Sequence, residues 1–158
     1  MLETSSSSNE LSFTILQIVL SQKRYHVDIL SLEENYHLRN SNGEYNLLAE
    51  LLSDNNNTNL LFVRFRGTTK AAISQKNNYG GTSIIASYFQ IRSRLVAENI
   101  CTIDTTVRPR RETYLFDINA VTDAFINALL QNDWTIKEPI INMLDDRLEI
   151  ISHGGLPD

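Results

Sequence analysis

Asp123 and Asn127 stand four residues apart in the stretch Ile118 to Leu130. The apolar residues Ile118, Val121, Phe125, Ala128 and Leu129 recur there at helical spacing. Residues four apart on a helix are neighbours on one face, and the face holding Asp123 and Asn127 is not the apolar one. A carboxylate beside a carboxamide oxygen is a pair of hard ligands suited to Mg²⁺, which keeps waters and borrows phosphate oxygens. The carboxylate could equally orient an attacking water. Taken alone, the pair also fits a plain solvated helix face. Elsewhere the chemistry is thinner. Ser152-His153 with a distant aspartate lacks the G-x-S-x-G elbow of a hydrolase. No G-x-x-x-x-G-K-[ST] phosphate loop is present, so helicase activity has no support. Cys101 is the only cysteine, which excludes an intrachain disulfide and the multi-cysteine zinc arrangements, and His26, His37 and His153 lie far apart. Arg108, Arg110 and Arg111 near Tyr114 suit either a phosphate backbone or a solvated turn, and so do Arg64, Arg66 and Lys70.

These residues must be positioned by a chain of 158 residues, 42% apolar and 21% charged, which reads as an ordinary globular protein. A chain of this length buries roughly 70% of its unfolded surface and needs no staples. Its net charge of -5 lacks the basic footprint of a free-standing DNA-binding domain. The run Phe13 to Leu20 is too short to span a bilayer, and Met1–Ser8 is no signal peptide, so the expected location is the cytoplasm with no membrane partner.

Helix and strand signals alternate, giving an α+β class. Ser7 to Glu10 fits a capping box ahead of a helix over about Asn9 to Gln22, with Leu11, Ile15 and Ile18 on its apolar face. Asn42-Gly43 signals a tight turn, Leu47 to Leu52 a helix, and Asp54 to Asn59 a solvated polar loop. Leu60 to Phe65 reads as a buried strand. Gly67 and Gly80-Gly81 break the chain, and Ile84, Ile85, Tyr88, Phe89, Arg92 and Leu95 suit one helix face. Cys101 to Val107 and Glu112 to Phe116 are strands flanking a basic turn, with Cys101 buried and inert. Asp117 caps the helix bearing Asp123. Two strands follow, near Thr135–Met143 and Arg147–Ile151, and Trp134 packs at the helix end.

The C-terminal third resembles RecG-related transcriptional regulators with a divergent histidine-kinase-type (GHKL) ATPase module. Their pattern E-A-x-x-N-A-x-x-H-R-D-Y appears as Asp123 to Trp134, and D-D-R-[IL]-E-I-x-S-x-G-G-L as Asp145 to Leu156. Gly43-Glu44-Tyr45-Asn46, Leu51 to Asp54 and Phe65-Arg66-Gly67-Thr68 match the segment preceding that module. The resemblance implies a connecting α+β domain over residues 9–116, after a disordered or tag-like 1–8. The first half of the ATPase α/β sandwich would then occupy 117–158. It implies ATP and Mg²⁺ as cofactors, with Asn127 as the metal-coordinating residue and Asp123 in the catalytic position of a glutamate. Asn127, Asp133, Ser152, Gly154 and Gly155 would be the nucleotide-binding residues. Two departures are visible. The H-R-D-Y element is Gln131-Asn132-Asp133-Trp134, and His153 precedes the glycine pair where the family usually has proline. The resemblance also implies DNA contact through a domain outside this chain. The chain reads as a middle piece that binds ATP weakly and is itself inactive. The apolar residues Ile136, Ile140, Met143, Leu148 and Ile150 of the last two strands then need cover, from a second copy of the chain or from its N-terminal helix. The rival reading is a non-catalytic interaction or dimerisation module with a vestigial nucleotide site.

Overall fold

The computed structural model describes residues 4–6, 10–22, 33–34 and 36–154. Those residues form an α+β fold. Four helices, α1 (Thr14–Gln22), α2 (Leu47–Leu52), α3 (Ile84–Glu98) and α4 (Ile118–Gln131), surround two separate sheets. The larger contains β1 (Leu61–Phe65), β2 (Ile73–Asn78), β5 (Ile140–Met143) and β6 (Leu148–Ile151), in the order β2-β1-β5-β6. The smaller is a two-stranded ribbon of β3 (Cys101–Asp104) and β4 (Arg111–Tyr114).

In the larger sheet β1 runs parallel to β5, with Leu61 opposite Ile140, while β2 and β6 pair antiparallel on either side. Strands from before and after Asp117 therefore share one sheet. β1 is apolar at every position but Arg64 because it is central, hydrogen-bonded on both edges and packed on both faces. Phe62 joins Leu60, Ile91, Leu95, Phe125, Ile141 and Met143 in the main core, beneath α3 and α4. Val63 and Phe65 point to the other face with Leu144. Arg94 of α3 lies over the Phe62 ring at 4.7 Å and ties α3 to β2 through Gln75 and Asn77.

Several local expectations are corrected. The first helix begins at Thr14, not near Asn9, and its cap is not local. Asp54 accepts the backbone N–H groups of Thr14 and Ile15 at 3.0 and 2.7 Å, and the Ser12 hydroxyl at 2.7 Å. Burial works against the Asp54 carboxylate, but these donors hold it below its ordinary range. Ser7 to Asn9 lie outside the described residues. Phe13 and Leu16 are buried against Leu38 and Ala49, with Leu11 packed beside them, whereas Ile18 of the expected Leu11/Ile15/Ile18 face is exposed. The Asp54–Asn59 segment is no idle turn either. Beyond the Asp54 cap, Asn56 donates to the carbonyls of Leu51 and Thr82. Gly80 passes so close that a Cβ there would stand 2.8 Å from the Leu60 nitrogen.

The buried face of α3 is Ser87, Ile91 and Leu95, with Phe89 and Arg92 turned outward. β2 (sequence ISQKNN) carries no recognisable strand signal, being exposed throughout and polar after Ile73. Cys101 is half-buried on the exposed ribbon rather than buried. β5 starts at Ile140, because Asp133 to Lys137 turns first. Finally, the β5–β6 hairpin is not uncovered. Met143 and Ile141 are buried in the core, with Leu148 and Ile150 packed against it, and of the residues expected to need cover only Ile136 is exposed.

Candidate functional site

The geometry of the candidate residues follows from how α4 is held. Asp117 caps the helix, its carboxylate accepting from the N–H groups of Asn119 and Ala120 at 2.9 and 3.1 Å. Thr122, Phe125 and Ala128 form the buried stripe, and the Thr122 hydroxyl donates back to the Ile118 carbonyl. A helix advances about 100° per residue, so Asp123 and Asn127 fall opposite that stripe. Both are exposed. Asp123 is two turns and Asn127 one turn before the helix end, with Ile126 and Leu130 exposed beside them.

At the C-terminal end a side chain that the sequence does not single out closes the site. Asn132 is buried. Its N–H donates to the Ala128 carbonyl, its Oδ1 accepts the His153 N–H at 2.8 Å, and its Nδ2 donates to the Lys137 carbonyl at 2.8 Å. The Asp133 N–H in turn donates to the His153 carbonyl at 2.7 Å. These bonds fold the segment after β6 back onto the end of α4. Gly154 arrives there with φ +124°, and a Cβ at 154 would stand 3.3 Å from the Asp133 Cβ. Glycine is required for that backbone conformation. Asp133 accepts from the Thr135 hydroxyl at 2.5 Å and its N–H at 3.0 Å, and the hydroxyl bond leads in holding its carboxyl below the usual range. The chain thus brings Asp133 and Gly154 together, with exposed Ser152 just before them. Asp123 and Asn127 lie on the outer face of the same helix. Gly155 lies outside the described residues.

The Asp145 to Ile150 motif has a different task. Arg64 pairs with Asp145 at 2.8 Å, and the Asp145 N–H donates to the Gly67 carbonyl. Arg147 reaches Asp146, Glu149 and the Thr68 carbonyl, while Lys70 pairs with Glu149 at 2.7 Å. The Lys70 ammonium, then the Arg147 guanidinium, holds the Glu149 carboxyl down to about 2. The turn after β1 and the turn between β5 and β6 are laced together at the end of the sheet, which accounts for Arg64 and Lys70 as structural cations.

Among the described residues no group of three His, Cys, Asp or Glu side chains is placed to hold a metal ion. Nor is any described helix long and apolar enough to cross a membrane. Between α2, α3 and α4 runs an apolar groove of about 330 Å³, lined by residues including Leu48, Leu52, Ile85, Tyr88, Ile126 and Trp134.

No protein-family model matches the chain, and no curated protein does. A solved structure does. The crystal structure of the DIP2311 protein from Corynebacterium diphtheriae superposes with a TM-score of 0.73 at 14% sequence identity. The match covers 99% of this chain and 33% of that one. The fold is shared. The chain spans about a third of the length of the protein it matches.

Proposed function

We propose that this chain carries the metal-binding helix of an ATP-binding module in a DNA-associated transcriptional regulator of the RecG-related, GHKL-type kind. One observation carries the reading. The helix bearing Asp123 and Asn127 leads into an antiparallel hairpin, and the glycine turn after it folds back onto the end of that same helix beside Asp133. In this reading Asn127 offers its carboxamide oxygen to a hydrated Mg²⁺ and Asp123 orients water at its edge. Their oxygen donors suit that ion in type, and the ion would supply charge neutralisation for phosphate. Asp133, Ser152 and the backbone of Gly154 and Gly155 would border the nucleotide. DNA contact by a domain outside this chain belongs to the same reading.

The outer face of α4 is open, so a nucleotide gains few contacts against its entropy of association, and weak binding is expected. Amide chemical shifts on titration with millimolar Mg-ATP detect weak binding and locate it. Shifts should cluster at Asp123, Asn127, Asp133 and Ser152 to Gly154, require Mg²⁺, and weaken in Asn127→Ala while the melting temperature stays put. A titration that moves none of these amides, or a variant that melts much earlier, overturns the assignment.

The apolar groove favours a second reading, an interaction or dimerisation module. Sedimentation that depends on concentration and is abolished by Ile126→Glu would support it over the first.

A further inference from the structure

The β3–β4 ribbon carries three arginines, of which Arg110 pairs with Glu112 of the same ribbon. Every residue from Thr102 to Leu115 is exposed. Among the described residues the two strands pair only with each other, from Cys101 opposite Tyr114 to Asp104 opposite Arg111. Arg108, Arg110 and Arg111 lie within four residues, with no acidic residue between Asp104 and Glu112. Asp104 is engaged within its own turn, accepting the Thr106 hydroxyl at 2.6 Å and its N–H at 2.9 Å. The Arg110–Glu112 pair is long, at 3.5 Å, and largely exposed. The arm is therefore positive on a chain whose net charge is -5.

We infer that this ribbon is a docking arm for double-stranded nucleic acid, with Arg108, Arg110 and Arg111 on the phosphates. A two-stranded ribbon is one of the few elements that the major groove admits. Arginine forks match phosphate geometry, and the hydroxyls of Thr102, Thr105, Thr106 and Thr113 add neutral donors along the same strands. The acidic remainder of the chain repels a duplex, so the approach that the field favours is arm first. An anionic membrane fits the tip less well. Between Thr105 and Arg111 the apolar residues are Val107 and Pro109, without an aromatic anchor. The inference is independent of the nucleotide reading and stands if ATP fails to bind.

Fluorescence anisotropy with a short labelled duplex of mixed sequence tests it. Binding is expected at low salt, with log K falling linearly against log salt. Replacing all three arginines by alanine should weaken binding about tenfold or more. It should also reduce the slope by about 0.9 for each phosphate no longer neutralised, roughly 2.7 for three. The triple lysine variant should keep most of the affinity. The single variant Arg110→Glu, in an exposed turn, gives the same readout should the triple alanine variant misfold. The inference is overturned if the duplex does not bind at low salt, or if the arginine variants bind as the parent does. Binding to phosphatidylserine vesicles that depends on the arm, without duplex binding, also overturns it and assigns the arm to membranes.

Discussion

The central strands of the larger sheet and the β3–β4 ribbon are made of opposite material. β1 and β5 are apolar and buried, and their residues are determined by the helices lying across them. The β3–β4 ribbon has its side chains in water, and only Cys101 is half-buried. The pair β1–β5 is held by what it excludes, whereas the ribbon is held by its ladder and its turn. A sheet of the first kind tolerates few side-chain changes. A ribbon of the second kind is free to vary, so its composition reports contacts made outside the fold.

Phe125→Ala removes a fully buried ring that stacks on Tyr88 at 6.1 Å, and should cost about 3–5 kcal/mol in urea denaturation. Ile103→Thr on the ribbon should change stability by no more than about 0.5 kcal/mol. Similar losses from both would show that the ribbon belongs to the cooperative core.

A middle-sized effect is expected where the two N-terminal helices are joined. Asp54→Ala strips the cap from α1 and should cost about 1–2 kcal/mol. Amide exchange should accelerate first at Thr14 and Ile15, whose N–H groups it releases. Unchanged exchange there would mean that packing of Phe13 and Leu16 alone holds the helix.

The smallest effect concerns pH. Glu149 is held down to about 2 from an ordinary value of 4.5. Its contribution is therefore fully present above 4.5 and is lost as pH falls towards 2. Thermal melts between those limits should show a decline that shrinks in Lys70→Met, because the variant loses the leading partner. An identical decline in both proteins would place the acid-sensitive group elsewhere.

Where sequence and fold agree, the signal is local. The apolar run of β1 and the stripe and cap of α4 each lie within one element, so periodicity exposes them. β2 is hidden in the sequence because an edge strand exposed on both faces needs neither alternation nor apolar residues. The cap of α1 is equally hidden, because its acceptor, Asp54, is 40 residues from Thr14. The candidate site divides in the same way. Asp123 and Asn127 are an i, i+4 pair that spacing alone displays. The Asn132–His153 clamp spans 21 residues and leaves no mark on either segment by itself.

The parallel pairing of β1 with β5 sets an order of events during synthesis and folding. Arg64 and Met143, which meet in that ladder, are 79 residues apart. Closing a loop of that length costs about 2–3 kcal/mol more than closing the turn that joins Met143 to Leu148. During synthesis β1 precedes the β5–β6 hairpin and lacks its parallel partner while residues 66–139 leave the ribosome. Until Ile140 to Met143 emerge, Leu61, Val63 and Phe65 remain an exposed apolar edge. That interval, rather than the finished fold, is when this chain is most exposed to aggregation.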